Sequence, residues 1–227
     1  MAPAFRLLAG GAGRPAGTAL SMTPTVHTVV FAKAPRPGRV KTRLIPALGP
    51  AGAAELAARL LAHALAQALR ADLGPVELCR SPDDDRAWGA VELPPGLILS
   101  GQGDGDLGAR LARAAGRVIA GGRPALLMGT DCPALTADRL HAMARALGDA
   151  DAAITPVADG GYAALGFNHC HPDLFRDVPW STPTVCQVTA ARLSALGWSL
   201  HHCPTLHDID EPGDLRHLPP DWPEYRP

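Results

Sequence analysis

Five cations crowd one short stretch of this chain: Lys33, Arg36, Arg39, Lys41 and Arg43. They follow an apolar run, Val26 to Ala32, and precede a helical pattern that begins near Pro50. Pro35, Pro37 and Gly38 keep the stretch out of helix and strand. A buried strand that empties into a basic loop and then a helix is how an α/β protein holds phosphate. The cations supply charge, and the helix start supplies free N–H groups. One such cation would read as a solvated surface charge. Five after a single strand read as a nucleotide-phosphate site made of Lys33, Arg36, Gly38, Arg39, Lys41 and Arg43.

Oxygen donors follow other strand patterns. In Met128-Gly129-Thr130-Asp131-Cys132-Pro133, Asp131 stands where a carboxylate can bind Mg²⁺ (or Mn²⁺) that also contacts a nucleotide phosphate. By itself it reads equally well as a turn residue. His207-Asp208-Ile209-Asp210-Glu211-Pro212 puts Asp208 and Asp210 on one side of an extended segment, as further metal ligands beside Asp131. The competing account is helix-dipole charge from Asp210, Glu211 and Asp214, with no metal. Asp159-Gly160-Gly161-Tyr162 has the signature of a hairpin turn, and its glycines also let a substrate lie against bare backbone. Gln102, in Gln102-Gly103-Asp104-Gly105-Asp106, offers a nucleotide base both a donor and an acceptor. A plain Gly-rich connector capped by Asp106 explains the same residues. In Trp180-Ser181-Thr182-Pro183, Ser181 or Thr182 is expected to cap a helix, while Trp180 either walls an acceptor site or packs in the core. Two His/Cys clusters, at 168–171 and 201–203, lack the spacing of a structural zinc site. Cys132 has no identifiable base.

The elements that must position these residues alternate. Strands are predicted at 26–32, 76–79, 97–99, 124–128, 152–155, 162–167 and 198–203, from short apolar runs bounded by Gly and Pro. Helices are predicted at 51–71, from about Asp106, from an N-cap at Thr136 to Leu147, and after Pro183, with a short closing helix at 212–218. Leu135 and Leu140 are spaced as a hydrophobic staple across Thr136. Leu107, Leu111, Ala114 and Val118 are spaced for a core face. The segment 81–91 is ambiguous. Such alternation predicts a single α/β domain, a mostly parallel sheet covered on both faces, with ligands at the carboxyl ends of the strands.

Composition narrows the function classes. The chain has 227 residues and a formal net charge of −1, so no global field recruits nucleic acid and anion binding must be local. Unbroken apolar runs fall far short of a membrane span. Five cysteines, an odd number without a Cys-x-x-Cys pair, point to reduced thiols and a cytoplasmic location. Residues 1–21 are Ala/Gly-rich and aperiodic, and read as a disordered extension, with Met22 a candidate start and 22–227 the domain.

The phrase Phe31 to Leu44 resembles the opening of the radical-SAM/selenodomain-associated glycosyltransferases, which have a nucleotide-diphospho-sugar transferase (GT-A-like) fold. It is similar, more distantly, to the phospholactate guanylyltransferases, whose first loop has a comparable Lys-Ser-Arg-Leu, and to the molybdenum-cofactor guanylyltransferases. The resemblance spans roughly residues 26–218 and implies Asp131 as a metal ligand within an Asp-x-Pro segment. It implies an acceptor site at Asp159, Gly160, Gly161, Trp180 and Thr182, and base recognition at Gln102. The family's Asp-x-Asp-Thr-Pro-x-Asp-Leu is matched at 208–215, except that Glu211 replaces Thr. Catalysis would then rest on Lys41, Arg43 and Asp131.

Three functions fit. A glycosyltransferase would move sugar from a nucleotide sugar to an unknown acceptor. A nucleotidyltransferase would move NMP from an NTP to a phosphorylated acceptor. A non-catalytic nucleotide-binding module would need the basic loop but not the carboxylates. Oligomeric state is not legible.

Overall fold

The computed structural model describes residues 25–89 and 91–225. The expectation for residues 1–21 lies outside them. Seven strands form one sheet: β1 (His27–Lys33), β2 (Val76–Ser81), β3 (Ile98–Gly101), β4 (Ala125–Met128), β5 (Ala152–Pro156), β6 (Tyr162–Phe167) and β7 (Leu200–His202). Their spatial order is β3-β2-β1-β4-β6-β5-β7. β6 runs antiparallel to β4 and β5, and the other pairings are parallel. The helices are α1 (Ile45–Ala71), α2 (Asp85–Trp88), α3 (Leu107–Ala120), α4 (Ala137–Ala146) and α5 (Val185–Ala195). The mostly parallel α/β sheet with flanking helices is therefore as the alternation predicted.

Both faces of the sheet are covered, and neighbouring strand residues show how. Val30, Leu78 and Leu126 pack with Leu61 and Leu65 of α1 and Leu140 and Met143 of α4. Val29, Cys79 and Leu127 pack on the other side with Leu111 and Val118 of α3 and Leu193 of α5. Successive residues of a strand point to opposite faces, so strands buried on both sides are largely apolar, with Thr28, Glu77 and Thr155 the buried polar exceptions among the described strands. Each fully buried Leu or Val contributes about 1.5–3 kcal/mol relative to exposure. A third cluster fastens the C-terminal segment: Ile209, Leu215, Leu218 and Trp222 bury against Leu44, Leu56 and Leu60. That packing delivers residues 208–210 to the end of β4, where Ile209 N–H donates to Asp131 O at 2.8 Å.

Several boundaries differ from the sequence expectations. Gly49 has φ 71° and ψ 167°, so the turn at 45–48 and the main body of α1 are two helical pieces joined by a kink. α1 is long and apolar enough to cross a membrane by length and composition alone. Its Leu56, Leu60, Leu61 and Leu65 nonetheless face the protein core while Glu55 and Arg70 stand exposed, the pattern of an amphipathic core helix. Thr136 occupies the N-cap of α4 with no side-chain bond; the Ala137 N–H is taken instead by Gln67 Oε1 at 2.9 Å. Leu135 and Leu140 are both buried, as the staple requires. The ambiguous segment holds the short helix α2, and the closing helix is a 3₁₀ helix, Pro212–His217. Neither Ser181 nor Thr182 caps α5, whose N-cap is Thr184.

One buried ion pair was not foreseen. Glu77, fully buried on β2, accepts from Arg117 Nη1 and Nη2 at 2.7 and 2.6 Å and from Ser100, and meets His27 Nε2 at 3.1 Å. Burial pushes its carboxyl up, but the His27 contact and the hydrogen bonds from Arg117 and Ser100 outweigh it and hold the pKa at about 2. A depressed carboxylate stabilises the fold above its unfolded pKa, and that stability fades as pH falls from about 4.5 toward 2. Glu77→Gln is therefore expected to cost on the order of 3 kcal/mol at pH 7 and much less at pH 2. Urea unfolding at the two pH values measures it; an equal loss at both would contradict the assignment.

Candidate active site

The carboxyl ends of β1 and β4 open into a cleft of about 440 Å³ lined by Lys33, Arg39, Lys41, Arg43, Gly129, Asp131 and Asp210, among others. The loop after β1 turns at Gly38, whose φ of +73° suits glycine, and Arg39 N–H closes the turn on Arg36 O at 3.0 Å. Lys33, Arg36 and Arg39 are exposed and, among the described residues, make no side-chain ion pair or hydrogen bond. Lys33 and Arg39 border both this cleft and a neighbouring one of about 470 Å³, which Arg36 lines. The predicted basic site thus divides, with Arg36 on its outer flank.

Lys41 behaves differently. Its backbone is left-handed (φ 46°, ψ 41°), and its side chain is 5% exposed. That conformation, unusual for a non-glycine residue, sends Nζ to the floor of the cleft. There it donates to Asp131 Oδ1 at 2.8 Å and to Ile209 O at 2.5 Å, with Asp210 Oδ1 at 3.5 Å. Arg43 Nη1 holds Asp210 Oδ2 at 2.9 Å. The sequence placed all three aspartates beside a metal. The fold instead gives Asp210 to two cations, and Asp214 takes the helix-capping role, accepting from the Asp210 and Glu211 N–H groups at 3.1 and 2.7 Å. Asp208 is half-buried; burial pushes its carboxyl above the usual range, and the nearby Asp159 and Asp210 charges push the same way.

This donor set suits a hard divalent cation. Among the described residues Asp208 forms no ion pair, and the Lys41 ammonium, whose charge also reaches Asp208, sits between Asp131 and Asp210 as a stand-in positive charge. Among the described residues no three His, Cys, Asp or Glu side chains gather closely enough to form a cage. Asp131 and Asp208, whose segments meet where Ile209 N–H donates to Asp131 O, are the residues that would hold such a cation.

Gln102 departs from its expected role. It is buried, and its Nε2 donates to Ala32 O and Cys79 O, both at 3.1 Å, so both amide hydrogens tie β1 to β2 rather than face a base. The loop beyond it is shaped by two arginines of α3 that the sequence analysis did not single out. Arg113 donates to Gln102 O and, at 2.9 Å, to Asp104 O, and Arg110 Nε donates to Gly105 O at 2.9 Å. Their spacing after a Gly-rich loop was the available signal. Asp106 caps α3 through Ala109 N–H at 2.8 Å, the structural role foreseen for it.

A second cavity of about 250 Å³ adjoins the first, sharing Phe31, Leu107 and Gly129 with it. Leu107, placed on the core face by its spacing, is 42% exposed because it opens α3 at the junction of the two cavities. Asp159, Gly161, Trp180, Ser181 and Thr182 line the second cavity. Asp159 Oδ1 accepts from Gly161 N–H at 2.8 Å, the turn role, and leaves Oδ2 free of that bond. Gly160, at φ 93°, is where the hairpin touches the following loop: a Cβ there would overlap the Pro183 backbone. The Trp180 indole N–H is buried and has no hydrogen-bond partner among the described residues. Burial pushes the Cys132 thiol up to about 11, which leaves it without thiolate character beside Asp131.

The chain matches the model of a family described as an uncharacterized protein conserved in bacteria (DUF2064) over residues 64–182, more than half its length. It belongs to that family. Among solved structures, it is similar to a protein from Desulfovibrio desulfuricans G20 assigned as a nucleotide-diphospho-sugar transferase, at 29% identity and TM-score 0.77, covering 83% of this chain and 84% of that one. It shares its fold with CMP:2-keto-3-deoxy-manno-octonic acid synthetase complexed with CTP (14% identity, TM-score 0.51, 85% and 96% covered). It shares it also with Rv0371c of Mycobacterium tuberculosis H37Rv, solved with manganese (17%, 0.50, 86% and 97%). No curated protein matches the chain. The fold is thus that of nucleotide-diphospho-sugar transferases and nucleotidyltransferases.

Gly160→Ala is expected to lower stability by about 1–3 kcal/mol, through a strained φ and the collision with Pro183. It should also loosen the 180–184 wall of the second cavity. Thermal melting and amide exchange at 180–185 check it; an unshifted melting temperature would show that the hairpin and loop are not in contact in solution.

Proposed function

We propose that this protein is a transferase that uses a nucleotide-activated donor, in the first instance a glycosyltransferase acting on a nucleotide sugar. The observation that carries this reading is a cleft at the carboxyl ends of β1 and β4 with unpaired Lys33 and Arg39 at its mouth and the Lys41–Asp131 pair at its floor. The narrower likeness to radical-SAM/selenodomain-associated glycosyltransferases is part of the proposal, supported by the Phe31–Leu44 phrase. Lys33, Arg39 and Arg43 bind the donor's phosphates, Arg36 screens them from the flank, and Gly38 lets backbone approach them. Gln102 shapes the base side indirectly, by bracing the loop that Arg110 and Arg113 hold. A bound Mg²⁺ or Mn²⁺ on Asp131 and Asp208 would supply charge neutralisation at the leaving phosphate.

Lys41 is both a binding and a catalytic group in this scheme. When phosphate enters the cleft, its ammonium exchanges Asp131 for a phosphate oxygen and stabilises the charge that develops as the donor bond breaks. Asp131, no longer paired with Lys41, would be a residue that holds the cation, and Arg43 keeps Asp210 in place. Nucleotidyl transfer from an NTP is the second reading, favoured by a loop whose charge exceeds the need of one diphosphate. A binding module without catalysis would have no use for the carboxylates Asp131, Asp208 and Asp210.

Lys41→Met is expected to weaken nucleotide binding about tenfold or more while strengthening Mn²⁺ binding in the absence of nucleotide, since it takes the resident cation off Asp131. Calorimetry with nucleotides and electron paramagnetic resonance of free Mn²⁺ measure the two effects. Unchanged Mn²⁺ affinity would break the link between Lys41 and the cation. Asp131→Asn should keep the fold and lose nucleotide-linked Mn²⁺ binding; retention of wild-type Mn²⁺ dependence would remove Asp131 from the mechanism.

A further inference from the structure

The second cavity decides more than its position beside the donor cleft. Its walls include Phe31, Leu107, Leu111, Leu127, Met128 and Val185, and among the described residues no Lys, Arg or His lines it. The carboxylate on its wall is Asp159, and the half-buried Asp208 lies within electrostatic reach of Asp159. Lys33, Arg39, Lys41 and Arg43 line the first cleft, beyond the junction formed by Phe31, Leu107 and Gly129, and none of them lines this cavity. A phosphate ester in this cavity would meet carboxylate without a counter-charge, and its desolvation would go unrewarded. An uncharged alcohol meets apolar walls for its body and a carboxylate oxygen for its hydroxyl.

We infer that the acceptor is a neutral hydroxyl compound with an apolar body, and not a phosphorylated one. The inference rests on the proposal that the adjoining cleft binds the donor, and it separates the two transfer readings. With such an acceptor and a nucleotide-sugar donor, the hydroxyl oxygen bonds to the anomeric carbon while the bond from that carbon to the donor diphosphate breaks. The hydroxyl proton passes to Asp159, and the nucleoside diphosphate leaves with the electron pair. Transfer of NMP to a phosphate ester has no place to hold its acceptor.

Two probes with one body test this: 2-naphthol and 2-naphthyl phosphate, titrated by fluorescence against the full chain. 2-Naphthol is expected to bind saturably and to lose about tenfold or more in affinity in Val185→Trp, which fills the cavity, while Lys33→Ala/Arg39→Ala leaves it unchanged. Any binding of 2-naphthyl phosphate is expected to follow Lys33 and Arg39 and to ignore Val185→Trp. Thr182→Lys, on the exposed rim of this cavity alone, keeps the test open should Val185→Trp fail to fold. It should improve 2-naphthyl phosphate binding about tenfold. Absence of saturable 2-naphthol binding would overturn the inference. So would equal affinity for the two probes with both sensitive to Val185→Trp, or, where that variant does not fold, an unimproved phosphate ester in Thr182→Lys. A parallel titration with UDP and GDP reads the donor cleft separately: failure there, with 2-naphthol still bound in the cavity, sinks the donor reading and not this one.

Discussion

Lys41 holds together three parts of the chain that nothing local connects. Its ammonium touches the loop after β4 through Asp131 and the C-terminal segment through the Ile209 carbonyl and Asp210. A lysine whose side chain is almost fully buried requires compensation, because an ammonium without partners in such a place would give up its charge. Here it has a carboxylate at hydrogen-bond distance, a carbonyl, and a second carboxylate beyond. The cleft floor is therefore set by charge pairing rather than by apolar packing. Whatever enters must offer Lys41 at least as good a partner. A phosphate does; a neutral sugar does not.

Packing elsewhere serves that arrangement. The C-terminal segment reaches the site because Ile209, Leu215, Leu218 and Trp222 bury against α1. Asp214 then ends the segment by capping, which frees Asp210 for Arg43 and Lys41. On the opposite edge, Glu77 and Arg117 join β2 to α3, and α3 carries the arginines that fix the 102–105 loop. The site is thus built from loops on a frame whose strands are largely apolar on both faces. Such loops can differ in chemistry without altering the sheet beneath them.

The two cavities divide the chemistry by charge. One is rimmed by cations and floored by an ion pair; the other is apolar with a carboxylate on its wall. Phe31, Leu107 and Gly129 stand between them. A transfer reaction needs its two substrates held close but with opposite preferences, so that each enters one side only. An exposed leucine at the first position of α3 has a function under this reading, since it is the apolar partition between a charged donor and an uncharged acceptor.

The sequence by itself determined the order of strands and helices, the cationic loop, the β5–β6 hairpin and the staple at Leu135 and Leu140. Each depends on signals a few residues apart: apolar runs, Gly and Pro punctuation, and helical spacing. Tertiary structure alone decided what the charged and amide groups do. Lys41 and Ile209 lie 168 positions apart in the chain, and no local pattern says that one will meet the other's carbonyl. Gln102 has the donors and acceptors of a base reader, yet two strand ends reach its amide first. Leu107 keeps a core spacing but sits one turn too early to be covered. Local periodicity fixes which face a residue takes on its own element, while the partner it finds there is fixed by how elements pack against one another.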